Sequence, residues 1–386
     1  MTEKQKKKLK KKLIVWVATV VFSILIISLC NKLVTKDLEI LNYGDATCKA
    51  KVTLVGEKIT QSYEAGSTWE NYYLPFSARI LTGPRKGELI TSVQESDNYS
   101  GANEKELRQG DKIILYQLSE DSEELIFGGF ARFDTMFVFG LIFCALLLFF
   151  GRIKGLNTII SLTFTCLSVF CVFVPSVLAG YNIYMTSMLC CIYITVMTLL
   201  LTNGASIKSY STMLGCIFGV ISAAIMSVLF DRIMGLTGIL DEHSVYLQVL
   251  YEGREINLRA MIFAMIVIGA MGAVMDVAMD IASSLFELKR HAPQLGIKEL
   301  YSSGIRIGRD VMGTMANTLV LAYIGSSLCS ILLMISYSSS LQELLNRQNI
   351  VVEIMQALVG SVAILLTIPL TSLICGILYT RKRTKK

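Results

Sequence analysis

Apolar runs long enough to cross a bilayer recur eight times along the chain, at 13–30, 133–151, 156–178, 183–202, 211–230, 258–283, 312–335 and 350–378. A crossing needs ~20 residues at 1.5 Å of rise each. The pattern therefore predicts an α-helical polytopic membrane protein of about eight transmembrane helices. One long interruption, 31–132, has the composition of a soluble domain and a period nearer two. Ala50, Val52 and Leu54 alternate with polar neighbours and are expected on one side of a strand. Runs at 76–81 and 88–93 flank Thr82-Gly-Pro-Arg-Lys-Gly87, a hairpin turn, and 110–118 and 125–131 supply two more strands. About five short strands predict a small all-β barrel of the OB or SH3-like kind. The polar segment 93–108 reads as an exposed loop, and its sequon Asn98-Tyr99-Ser100 is too short a match to carry weight.

Composition agrees with the pattern. Hydrophobic residues make up 53% of the 386 and charged residues only 17%, with a mean hydropathy of +0.57. A soluble chain carries about a quarter charged residues, so a soluble enzyme or a nucleic-acid-binding domain is excluded as the main reading. Nine of the ten cysteines lie in or at the end of apolar runs and act as small hydrophobes. Cys48 stands alone in the polar stretch, and there is no C-x-x-C pair. With only two histidines, His243 and His291, both in connections, no metal ligand set or cofactor is expected.

Charge placement orients the chain. Seven lysines precede the first run, and basic residues also cluster at 289–309 and 381–386. Putting the N-terminus inside assigns 20 Lys and Arg to cytoplasmic segments and 4 to the two outer connections after the fifth and seventh runs. Both termini are thus expected in the cytoplasm. The domains read as a basic tail (1–12), an uncleaved signal-anchor helix (13–30), an extracytoplasmic β domain (31–132), a seven-helix bundle (133–380) and a second basic tail (381–386). The tails flank membrane spans, so anionic lipid is their expected contact, not nucleic acid.

Candidate chemistry concentrates in the sixth and seventh runs. Gly269, Ala273, Asp276, Asp280, Ser283 and Glu287 follow a 4,3,4,3,4 spacing and share one helical face, with Gly272 beside them. Small residues admit a neighbouring helix. A carboxylate in hydrocarbon costs ~3 kcal/mol even on the gentler insertion scale, so Asp276 and Asp280 are expected to be sequestered among helices and to find a partner, a proton or a cation. In the seventh run Asp310, Gly313, Thr314, Asn317 and Leu321 line one face, with Arg306 and Arg309 before it. An interfacial ion pair of Asp280 with Arg306 or Arg309 is the plainer alternative. Pro175 and Pro369 interrupt the third and eighth runs, as in the broken helices of many transporters, although ordinary kinks explain each singly.

The stretches 269–284 and 303–323 resemble the signature segments of the YibE/F-like family of bacterial membrane proteins. The similarity extends over about residues 45–335, and the long domain before the bundle resembles the YibE arm. The resemblance implies a multi-pass protein of the bacterial cell membrane paired with a YibF-like partner or with itself, but no substrate. Three function classes remain. The first is a transporter or permease subunit with an ion or solute site at Asp276, Asp280, Asp310, Asn317 and Thr314, near the cytoplasmic side of the sixth and seventh helices. The second is a non-transporting scaffold in which Gly269, Gly272, Ala273, Arg306, Arg309 and Gly313 pack helices or form salt bridges. An intramembrane aspartyl protease lacks the Tyr-Asp and Gly-x-Gly-Asp contexts, so an enzyme is not expected. No phosphate-binding loop occurs, and ATP would have to act through another subunit.

Overall fold

The computed structural model describes residues 3–36, 47–62, 70–96, 105–117, 124–250 and 256–381. The sequon at 98–100 lies outside the described residues. The chain divides into two compact units, Glu39–Leu146 and the remainder, Met1–Leu38 with Leu147–Lys386.

The smaller unit is a curled antiparallel sheet of six strands: β1 (Thr47–Val55), β2 (Ile59–Ser62), β3 (Glu70–Ile80), β4 (Leu89–Ser96), β5 (Lys112–Gln117) and β6 (Leu125–Phe130). The path runs β2-β3-β1-β5-β6, with β4 on the far side of β3. Tyr72, Leu74, Phe76 and Ala78 bury every second residue of β3 against Ala50, Val52, Ile113 and Leu115, the period-two burial of a one-sided sheet. Leu54 departs from the expected alternation. The β1–β3 register slips between Val52 and Leu54, and this bulge turns Leu54 outward to 63% exposure. A second slip between Ile114 and Leu115 bends β5 against β6. β4 and β6 curl toward each other across a groove of about 830 Å³, with no ladder between them among the described residues. The buried Gln94 donates to Lys105 O and accepts from Leu107 N, each at 3.0 Å, holding the strand-free approach to β5 over the sheet.

The helical elements are α1 (Glu3–Val34), α2 (Phe133–Gly151), α3 (Ile153–Ser168), a π turn (Val169–Phe173), α4 (Val174–Leu178), α5 (Ile183–Asn203), α6 (Ile207–Met234), α7 (Glu242–Leu250), α8 (Leu258–His291), α9 (Ile297–Ser326), α10 (Leu328–Tyr337), α11 (Leu341–Asn346) and α12 (Gln348–Thr380). Among the described residues, seven helices are long and apolar enough to span a membrane, or eight with α9 and α10 as one span bent by 63°. The bend falls at Gly325-Ser-Ser327, where the Ser326 hydroxyl donates to Tyr323 O and weak helix formers compete with the ladder. The third span is interrupted by the π turn ahead of Pro175, whereas Pro369 lies inside a continuous α12. Asn182, Ser206 and Asn257 cap α5, α6 and α8 by accepting backbone N–H bonds.

α8 and α12 form the centre of the bundle. α12 buries two adjacent rows at four-residue spacing, one through Met355, Val359, Ala363, Thr367, Thr371 and Cys375, the other through Gln356, Gly360, Ile364, Ile368, Ser372 and Gly376. Glycines on the partners receive them. Gly215 and Gly219 of α6 meet Thr371 and Thr367, Gly304 and Gly308 of α9 meet Ser372 and Ile368, and Gly360 meets Leu319 of α9 and Ala270 of α8. Backbones approach so closely there that a side-chain carbon would collide.

Gly219→Val should therefore lower the melting temperature of the detergent-solubilised chain, by the equivalent of about 1–3 kcal/mol. Gly272→Ala, with nothing within 4 Å of the added carbon, should leave it unchanged or slightly higher. In the β domain, Gln94→Leu leaves the buried Leu107 N–H unpaired at about 1–3 kcal/mol. Limited proteolysis of the full chain should then cut that domain faster.

Candidate functional site

Asp276 lies near the middle of the 34-residue α8. Two residues before it, Val274 meets Gly219 of α6, which also meets Thr367 of α12, so three helices converge at that level. The carboxylate itself points elsewhere. Gly269, Gly272, Asp276, Asp280 and Glu287 are exposed and Ala273 and Ser283 half-buried, while Ala270, Val274, Val277, Ala278 and Ile281 are buried. The face read from the spacing is real, but it is the face that the bundle leaves open. On one flank Tyr323 of α9 covers Gly269. On the other, the Asn203 amide at the end of α5 donates to Met279 Sδ at 3.6 Å. Asp276 and Asp280 lie within electrostatic reach of each other, and Asp276 also within reach of the buried Cys216 thiol of α6. The expected sequestering is thus corrected in part: α8 gives its opposite side to α6 and α12, and both acids lie on its exposed side, with Asp276 still within reach of α6.

The α9 residues are placed similarly. Leu300, Gly304 and Gly308 are the buried positions of α9, whereas Arg306, Arg309, Asp310, Gly313, Thr314 and Asn317 are exposed. The Thr314 hydroxyl donates back to Val311 O in its own helix. Among the described residues, no hydrogen bond or ion pair joins Asp276 or Asp280 to Arg306, Arg309, Asp310, Thr314 or Asn317, and the salt bridge considered for Asp280 is not formed. Gly269 packs against a helix; Gly272 and Gly313 face open space. Among the described residues, no three His, Cys, Asp or Glu side chains come together as a metal ligand set.

Two polar groups escaped the sequence reading. Tyr379 ties three helices, its hydroxyl 2.7 Å from Ser211 Oγ of α6 and donating to Ala282 O of α8 at 3.0 Å. The second is Glu353 with Gln356 in the N-terminal half of α12. Glu353 lies within electrostatic reach of the Tyr323 hydroxyl. Gln356 is 5% exposed, and its Nε2 and the Tyr323 hydroxyl are buried without a hydrogen-bond partner. An acid and an amide three residues apart inside an otherwise apolar run were the signal for it.

A family model described as YibE/F-like protein matches residues 139–381. The chain belongs to the YibE/F-like family. The match takes in α8, α9 and α12, and so every acid of the site, and runs on past residue 335 to the end of the bundle. The β domain lies outside it, so YibE/F-like membership characterises the membrane part. No curated protein and no solved structure matches the chain.

Tyr379→Phe should remove the only side-chain bridge described between Ser211 and the α8 backbone. We expect a loss of about 1–2 kcal/mol, read as a lower melting temperature in detergent, with no effect on the open face of α8.

Proposed function

We propose that this YibE/F-like chain is one subunit of a membrane permease, in which Asp276 and Asp280 form part of an ion or solute site that a second membrane subunit closes. The observation that carries this reading is a pair of carboxylates one turn apart in the apolar α8, exposed and unpaired among the described residues, beside a glycine with open space around it. Ionisable groups at that depth are costly and face bundle interiors or water-filled paths, so a covering helix is the simplest way to complete the site. A second copy or a YibF-like protein would supply it. Asp310, Thr314 and Asn317, exposed on α9, would meet the same subunit. The distribution of Lys and Arg supports both termini in the cytoplasm, and membership of the YibE/F-like family supports a bacterial cell membrane.

A scaffold is the second reading, favoured by the open glycines Gly272 and Gly313, which would admit a helix closely whether or not anything is carried. Reconstitution with pH- and cation-sensitive dyes separates the two. Asp276→Asn should cut flux at least about tenfold, a loss of ~1.4 kcal/mol in site stabilisation, with an unchanged melting temperature. Intact flux with a reduced yield of the assembled complex would instead establish the scaffold.

A further inference from the structure

An acid pair in the cytoplasmic half of α8 needs a way to the opposite aqueous phase if it is to carry charge across, and the N-terminal halves of α12 and α8 hold polar groups that nothing else in the fold explains. Glu353 is half-buried near the start of α12. Its carboxylate is within electrostatic reach of the Tyr323 hydroxyl, and that hydroxyl lies against Gly269 of α8. Gln356 is nine-tenths buried or more, with its Nε2 unpaired. Because Gly360 packs against Leu319 and Ala270, one helical turn back along α12 brings Gln356 level with Tyr323. From Gly269 the open face of α8 runs past Gly272 to Asp276, seven residues and about 10 Å farther.

We propose that α8, α9 and α12 hold a water-filled proton path that starts at Glu353, passes Gln356 and Tyr323, and reaches Asp276 along Gly269 and Gly272. This deepens the permease reading and rests on it, adding the carried species and the side of entry. Unpaired polar atoms away from water cost several kcal/mol in an apolar medium, and ordered water relieves that cost. The unpaired end of the Gln356 amide and the Tyr323 hydroxyl can each bond to water, and two carboxyl groups at the ends of the path can release and bind a proton. In each transfer a proton leaves the Glu353 carboxyl for water, the file relays it, and the Asp276 carboxylate binds one. One positive charge moves toward mid-membrane, and Glu353 is re-protonated from outside.

Two measurements on the full chain test this. In intact cells, Gln356→Cys and Val359→Cys are treated with a membrane-impermeant thiosulfonate from outside, and each site is read by peptide mass. The thiol of the Gln356→Cys chain should label about tenfold faster than that of the Val359→Cys chain, because Val359 is fully buried among apolar neighbours. If Gln356→Cys does not accumulate, Tyr323→Cys replaces it with the same expectation. Equal or absent labelling overturns the path and leaves the Asp276 site standing. In vesicles carrying an internal pH dye, Glu353→Gln and Asp276→Asn should each slow proton uptake about tenfold. Slowing by Asp276→Asn alone overturns the entry at Glu353, whereas no uptake by the unmodified chain, or no effect of either variant, overturns proton carriage itself.

Discussion

Close backbone approach at glycine is the constraint on which the bundle depends. Lipid tails are as apolar as leucine, so helices in a bilayer gain little by hiding hydrophobic surface from lipid and must gain from packing. Here α12 supplies two rows of every fourth residue, and Gly215, Gly219, Gly304 and Gly308 let α6 and α9 close onto them. Fixing those seams fixes the rotation of α8 as well, because Ala270 and Val274 must face Gly360 and Gly219. Once those positions point inward, Asp276 and Asp280 have to point away. The exposure of the acids is therefore a consequence of the core.

That chain of cause explains what could be read from residues alone. The spans were legible because twenty apolar residues in a row have few other uses, and the 4,3,4,3,4 face of α8 was legible because helical spacing is fixed. Which way the face points was not. Gly269, Ala273 and Asp276 look like an interface, but the interface lies at Gly219, Gly304 and Gly308, whose partners sit on helices distant in sequence. A face shared on one helix is local information, whereas its rotation in the bundle is set by contacts at long range. Glu353 was missed for a different reason: a long apolar run conceals a single acid when only the run is sought.

The β domain carries the same lesson on a smaller scale. Strand positions followed from alternation and from the Gly83 and Gly87 turn, both at positive φ, but β2 and the first half of β3 were not foreseen. Alternation also placed Leu54 inward, and the bulge after Val52 reverses it. A bulge costs one residue of register, which in a period-two element exchanges the two faces. Its use here is to curl the sheet so that β4 and β6 approach across their groove.

Magnitudes decide what an uncovered acid pair implies. At ~3 kcal/mol for a carboxylate facing lipid near the helix centre, Asp276 carries the larger cost, Asp280 one turn nearer the cytoplasmic end costs less, and like charges one turn apart add a few tenths. A folded chain has about 5–15 kcal/mol in hand, so two ionised groups left in hydrocarbon would consume a large part of it. Protonating one acid or placing water beside it reduces that cost, and covering both with another helix removes the lipid contact altogether. A scaffold has no need to bear such a cost, since alanine at both positions would pack as well beside Gly272. Two acids one turn apart on an open face of α8 are explained by a chain whose acids exchange a charge with water and whose assembly is completed by another subunit.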